Sequence, residues 1–199
     1  MGATSVRGVE SDRRRCAWAN SAPEYVTYHD EEWGAPLHGD DALFERVCLE
    51  AFQSGLSWIT ILRKRPAFRT AFAGFAIDAV AAFTADDEAR LMADAGIVRN
   101  RAKIAAALNN ARAAQQLPGG LSELLWSFAP GDGRPRPATL ADVPATSPES
   151  VAMAKELKRR GFVFVGPTTA YALMQATGMV DDHVADCFRA QARSEPARG

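Results

Sequence analysis

Two Cys/His pairs stand near opposite ends of the chain: Cys16 with His29, and His183 with Cys187. Two thiolates and two imidazoles are the ligand set of a closed tetrahedral zinc site. A fold that unites them must carry the N-terminal segment back onto the C-terminal one, so the four residues act as a clip. His183 and Cys187 are four apart, so on a helix both project from one face, one turn apart. Cys16 and His29 are thirteen apart, which fits no standard zinc-finger spacing. On these four residues alone, the plainer account is unrelated core cysteines and surface histidines.

A chain of 199 residues, 47% hydrophobic and 24% charged, suffices for one globular domain with a full core. Its cysteines, Cys16, Cys48 and Cys187, are odd in number and sparse, which disfavours a disulfide framework and suits a reducing cytoplasm. No apolar stretch reaches the ~20 residues that span a bilayer, and the N-terminus lacks the apolar core of a signal peptide. The expectation is a soluble protein with no membrane partner. A net charge of −1 argues against blanket nucleic-acid affinity but leaves a local basic face open.

Helical periodicity runs through almost the whole chain, and no segment reads convincingly as a strand. Residues 1–13 lack periodicity and read as a flexible arm, 14–190 as one domain and 191–199 as a flexible tail. Asp40 or Asp41 can cap a helix whose apolar positions Leu43, Phe44, Val47, Cys48 and Ala51 recur at helical spacing. Ser57 caps a short helix that must stop before Pro66, which suits the first position of the next. Gly74 ends that one, and Gly96 sits where a left-handed residue closes the helix begun near Asp86. Residues 103–117 are Ala-rich and helical. Residues 129–148, rich in Pro and Gly, form a long surface loop inside the domain.

A helix from Ser147-Pro148 ends in Lys158-Arg159-Arg160. Gly161 breaks it, and residues 162–166 form a tight apolar turn before a helix beginning at Pro167. Such a turn aims backbone N–H groups and a helix N-terminus at one phosphate, with basic residues behind it, which makes DNA a candidate partner. An ordinary helical corner explains the same stretch.

Tyr28, Trp33, Glu50 and Trp58 gather aromatics around a carboxylate. At 100° per residue, Glu50 falls about 20° from Leu43, at the edge of the apolar stripe. A carboxylate there must be paired, hydrogen-bonded or at a ligand site. A salt bridge to Arg46 or Arg63 is the structural alternative, with the tryptophans in the core.

Six ordered motifs then carry a family resemblance. They are Arg15-Cys16-Ala17-Trp18; Tyr28-His29-Asp30-Glu31-Glu32-Trp33-Gly34; the run from Leu49-Glu50 through Gly55-Leu56-Ser57-Trp58 to Thr60; Asp94-Ala95-Gly96-Ile97; Lys158 through Gly166; and Asp182-His183-Val184 with Cys187. Together, from about Arg15 to Phe188, they resemble the Tag-type 3-methyladenine DNA glycosylases of the helix-hairpin-helix superfamily. The resemblance implies an all-α helix-hairpin-helix fold, with one structural zinc on Cys16, His29, His183 and Cys187. It places Glu50, Tyr28 and Trp58 at the methylated base, within an aromatic site to which Trp33 and Trp18 also contribute. The imidazoles are expected to donate their other N–H to a carboxylate such as Asp30 or Asp182.

The implied activity is base-excision repair: flipping out 3-methyladenine from alkylated double-stranded DNA and hydrolysing its N-glycosyl bond. The resemblance also implies free 3-methyladenine as the product and a cytoplasmic bacterial enzyme acting as a monomer. Leu56 is the expected wedge, with core packing as its alternative. Gly161, Phe162, Gly166, Thr168 and Arg160 are the remaining DNA-facing candidates. Strand-cleaving members of the superfamily read Leu-Pro-Gly-Val-Gly with a catalytic Lys two residues on. Here Phe164 takes the first Gly position and Thr168 the Lys, so a lyase is disfavoured. Asp181 matches the superfamily's catalytic Asp, but is read first as a cap for the segment carrying His183. The competing expectations are a non-catalytic zinc-clipped protein that binds damaged DNA, or a glycosylase for another alkylated base.

Overall fold

Every residue from Leu43 to Phe52 is buried, and a helix apolar or shielded on all faces belongs at the centre of its domain. In the computed structural model, which describes residues 13–131 and 134–192, this is α2 (Asp40–Gln53), preceded by α1 (Pro23–Glu31). Around α2 lie α3 (Trp58–Ala71), α4 (Ile77–Ala81), α6 (Arg101–Gln115), α7 (Gly120–Trp126) and α9 (Pro167–Ala176). Between them run α5 (Ala85–Ala93), packed on α6, and α8 (Pro148–Arg159), packed on α9; α10 (Phe188–Ala192) follows. Among the described residues there is no strand, as the periodicity predicts. Of the flexible arm expected over residues 1–13 and the flexible tail over 191–199, residues 1–12 and 193–199 lie outside the described residues, and α10 runs on to Ala192.

Asp40 and Asp41 do not cap their own helix, whose N-cap is Gly39. They cap its neighbours instead: Ile77 N–H, at the start of α4, donates to Asp41 Oδ1 (2.8 Å), and Ser122 N–H, in the first turn of α7, donates to Asp40 Oδ1 (2.8 Å). Each satisfies a donor that a helix start leaves orphaned, and each ties a peripheral helix to the central one.

Pro66 does not divide two helices. It sits inside the continuous α3, because the apolar face carrying Ile61, Leu62 and Phe68 is buried along the helix and offsets one lost ladder bond. Gly74 does not close the helix: α3 is capped at Phe72, and Gly74 (φ 67°) lies inside the 3-10 turn Ala73–Phe75 that follows. Gly96 is not left-handed; a Cβ there would meet Ala67 Cβ at 3.0 Å and Asp94 Oδ1 at 2.9 Å, so close approach is what calls for glycine.

The described residues of the segment 129–148 are mostly exposed and irregular, as expected of a surface loop, but the loop is pinned to the domain. Ala185 N–H donates to Pro137 O (3.1 Å), and Arg134 and Arg136 fold inward onto Tyr171, Asp182 and Asp181. The chain ends meet where Phe188 N–H donates to Arg14 O (2.8 Å), beside a small second core of Cys16, Val184, Cys187 and Ala190.

Candidate active site and metal cluster

The four Cys/His residues come together. Their ligand atoms lie within 4.8 Å of one another, and all four side chains are buried. Cys187 Sγ is 3.4 Å from His29 Nε2 and 3.6 Å from His183 Nδ1, and Cys16 Sγ is 3.8 Å from His183 Nδ1. Zinc–sulfur and zinc–nitrogen bonds of ordinary length, set at the tetrahedral angle, give an S···N edge of about 3.5 Å. The spacing therefore fits that ion. Hydrogen bonding from Cys16 and the two imidazoles pulls the Cys187 thiol down towards the thiolate, while the bond to Cys187 and burial push Cys16 up.

Both imidazoles are set for metal ligation by what holds their other nitrogen. His29 Nδ1 donates to Asp30 Oδ1 (2.8 Å), leaving Nε2 facing the sulfurs. Burial would raise Asp30, but hydrogen bonds from Arg15 (2.7 Å at the closest) and His29 hold it below the usual carboxylate range. His183 Nε2 lies 3.2 Å from Trp33 O; a carbonyl only accepts, so this nitrogen carries the proton and Nδ1 is free for the cluster. Of the two expected outer partners, Asp30 is in place. Asp182 is not: it accepts from Tyr171 Oη (2.6 Å) and Gln175 Nε2 (2.8 Å).

The helix predicted for His183 and Cys187 is absent. Both precede α10, in a turn where Cys187 N–H donates to Val184 O (2.8 Å), and the turn delivers the same side-chain convergence. Asp181 accordingly caps no helix. Its Oδ1 accepts from His183 N–H (3.3 Å) within that turn, and Arg136 pairs with its other oxygen at 2.9 Å.

Beside the cluster opens a cavity of about 560 Å³, within the range of small-ligand sites. Trp18, Tyr28, Trp33, Glu50 and Trp58, all expected at one site, line it together. Trp58 and Tyr28 tilt together at 5.6 Å, and Trp18 meets Trp33 edge-on at 5.2 Å. Trp33 in turn packs edge-on against His183 at 4.7 Å, so the cluster forms the back of the aromatic wall.

Glu50 is the chemical centre of this cavity. The arginines that might have neutralised it are engaged elsewhere: Arg46 pairs with Glu32 (2.6 Å) and Arg63 with Glu24 (2.8 Å). Among the described residues no ion pair or hydrogen bond reaches its carboxylate, which overturns the salt-bridge alternative. Burial pushes its pKa up to about 8, against a partial pull from Arg46. A protonated carboxyl group so placed is poised to ionise when a cation arrives. Burial likewise pushes Tyr28 up, which keeps its hydroxyl protonated.

Leu56 sits on the link between α2 and α3 and is 41% exposed, so core packing is not its role. Gly161 (φ 89°) ends α8, and Gly166 and Thr168 are exposed at the start of α9. Phe162 is corrected: its side chain is 2% exposed in the core, and its N–H donates to Leu157 O (2.9 Å). The turn presents Val163 and Phe164 instead, 43% and 47% exposed. Among the described residues, the N–H groups of Phe164, Val165 and Gly166 make no hydrogen bond within the chain. Arg160 is turned back onto Glu156 (2.8 Å).

Residues 18–190 match the methyladenine glycosylase family. The DNA-3-methyladenine glycosylase 1 of Escherichia coli (strain K12) is 45% identical over 177 residues, 87% of this chain and 95% of that one. The chain belongs to the methyladenine glycosylase family. A crystal structure of a 3-methyladenine DNA glycosylase I matches with TM-score 0.83 at 44% identity, over 88% of this chain and 98% of the other. The Staphylococcus aureus 3-methyladenine DNA glycosylase I, in a structure concerned with 3-methyladenine recognition, gives TM-score 0.81 at 37% identity, over 87% of this chain and 95% of its own. Within this methyladenine glycosylase, sequence reasoning missed five polar or aromatic liners of the cavity: Ser21, Tyr25, Gln53, Gln175 and Asp182. Tyr25 and Gln53 carry a signal, each three residues along a helix from a residue already assigned, Tyr28 and Glu50. Gln175 and Asp182 reach the cavity only through tertiary packing.

Proposed function

We propose that this methyladenine glycosylase hydrolyses the N-glycosyl bond of 3-methyladenine in alkylated duplex DNA, acting as a monomer and leaving an abasic site without cutting the strand. The observation that carries this reading is the buried, unpaired Glu50 carboxylate inside an aromatic cavity. Methylation at N3 makes the nucleobase cationic and weakens its bond to the sugar, so extruding and holding the nucleotide accomplishes much of the catalysis. Glu50 attracts that charge and accepts from the exocyclic amine, Trp58 supplies a stacking face, and Trp18, Trp33 and Tyr28 close the site around an electron-poor ring. Unmodified adenine lacks the charge that draws Glu50 into its ionised state. The glycosidic C–N bond breaks, water adds its hydroxyl to the sugar carbon, its proton goes to solvent, and the base leaves neutral.

Around this chemistry, Leu56 fills the gap left by the flipped nucleotide. The α8–turn–α9 unit serves as the helix-hairpin-helix. Its unbonded N–H groups at 164–166 and the N-terminus of α9 take a phosphate. Cys16, His29, His183 and Cys187 would hold one zinc, whose contribution there would be structural, tying the N-terminal segment to the C-terminal one. The test is chromatography of bases released from methylated DNA: free 3-methyladenine is expected, and binding without release of any base would make the protein a damage-recognition module.

A further inference from the structure

The mechanism leaves two buried polar side chains of α6 without a role. Lys103, 7% exposed, donates from Nζ to Phe52 O (2.9 Å) and Ser54 O (2.5 Å) at the end of α2. These carbonyls belong to the segment that turns through Gly55 (φ 79°) and Leu56, whose N–H donates to Gln53 O (2.6 Å). Asn110, 1% exposed, spends both ends of its amide on one residue of the other loop: Nδ2 donates to Val163 O (3.0 Å), and Val163 N–H donates to Oδ1 (2.9 Å). Asn109 Nδ2 adds a bond to Gly161 O (2.8 Å). The loop so gripped carries Phe164 at φ 60°, a left-handed conformation that costs a non-glycine residue and persists only when its surroundings hold it.

Lys103 and Asn110 are seven residues apart on one helix. They therefore share a face to within about 20° and stand about 10 Å apart along the axis. A duplex also fixes the distance between a nucleotide being extruded and the phosphate gripped beside it. We propose that α6 is a spacer between the two DNA-facing loops, with Lys103 and Asn110 as positioning residues that hold the Leu56 loop and the 161–166 turn at one fixed separation. The inference rests on the proposed roles of those loops in binding DNA. It requires neither residue to touch DNA or the base.

The test uses the zinc-loaded full chain in two titrations: a duplex carrying a stable abasic-site analogue, followed by anisotropy, and free 3-methyladenine, followed by tryptophan fluorescence. Asn110→Ala and Lys103→Met should each weaken duplex binding about tenfold or more, which is about 1.4 kcal/mol, and leave free-base affinity within about twofold. Lys103→Arg keeps a cation on the carbonyls and should recover most of the loss. Because either substitution releases the same spacing, the double variant should lose less than the product of the single losses. Leu56→Ala and Thr168→Glu serve as controls that act on the loops themselves. Weakened controls beside wild-type duplex affinity in the α6 variants would overturn the spacer and leave the loop assignment standing. Controls that bind duplex like the wild type would overturn both. Parallel loss of base and duplex affinity would make the two residues merely structural and also reject the proposal. Should Asn110→Ala fail to fold, Asn109→Ala removes one exposed bond to the same turn, and an undiminished duplex affinity there counts against the idea.

Discussion

Tyr28 and His29 are consecutive residues of α1, yet Tyr28 lines the aromatic cavity and His29 points into the Cys/His cluster. Successive helical residues diverge by about 100°, so one helix serves two sites that lie side by side. Trp33 extends the link, packing on His183 with its ring and bonding that imidazole with its carbonyl. The cavity wall is thus built on the Cys/His cluster.

That shared wall makes the metal prediction broader than a loss of stability. Cys187→Ala should lower zinc content from one per chain and reduce the melting temperature. It should also weaken free 3-methyladenine binding, because α1 loses an anchor. Asp30→Asn should fold but hold zinc about 10- to 100-fold less tightly, since it weakens the partner that orients His29. Elemental analysis with chelator competition measures both; a zinc-free protein of undiminished stability would reject the clip.

Gly34 gives an independent check on the same geometry. Its φ is 76°, and a Cβ there would lie 2.9 Å from His183 Nε2, the atom bonded to Trp33 O. Gly34→Ala combines a left-handed penalty of about 1 kcal/mol with a push on a ligand ring. Zinc affinity should fall together with the melting temperature, whereas alanine at Gly131, with open space around the added carbon, should leave both unchanged.

What the sequence could and could not disclose follows from what each residue depends on. The gathering of Cys16, His29, His183 and Cys187 and the burial of Glu50 are legible because such side chains are costly to bury without a partner, whatever backbone carries them. The backbone itself is less legible. His183 and Cys187 converge from a turn rather than a helix, since a spacing of four is compatible with both. Pro66 stays within α3 because burial of Ile61, Leu62 and Phe68 outweighs a local rule. Asn110 and Lys103 sit in an Ala-rich helix where polar residues look like a solvated face; only their partners, 53 and about 50 residues away, reveal them as clamps. Phe162 and Phe164 are two apart in one apolar turn, and nothing local says that the first is buried and the second exposed.

Excision should be monofunctional. Schiff-base lyase chemistry needs an amine at the reacting sugar, and Thr168 occupies the position where strand-cleaving relatives of the superfamily carry lysine. Lys103, the buried amine nearest the Leu56 loop, is held by two carbonyls. Methylated duplex treated with the enzyme should stay intact until heat or alkali breaks the abasic sites. A covalent protein–DNA adduct trapped by borohydride during turnover would contradict this.

Glu50 should trade stability for function. Its folded pKa of about 8 lies above the ordinary carboxylate value of 4.5, so between those two values the folded chain binds the proton more tightly than the unfolded one. Stability on this account is greatest below pH 4.5, falls as pH rises toward 8, and stays reduced above it, with each unit of displacement worth about 1.4 kcal/mol. Glutamine keeps the volume and removes the titration. Glu50→Gln should therefore match the wild type near pH 4, where Glu50 is protonated in both the folded and the unfolded chain, and melt higher than the wild type at pH 8.5. A structural ion-pair partner would behave the opposite way and lose stability at neutral pH. The same substitution should slow excision of 3-methyladenine about 10- to 100-fold, the worth of one charge-assisted hydrogen bond of about 1.5 to 3 kcal/mol, while binding to abasic DNA persists. In the wild type, single-turnover excision divided by affinity should rise tenfold per unit below about pH 8 and level off above it, as the free enzyme's Glu50 ionises. Glu50→Gln should flatten that limb. A wild-type profile already flat from pH 6 to 9 would mean that Glu50 is ionised throughout, and a Glu50→Gln variant excising at the wild-type rate would remove it from the site altogether.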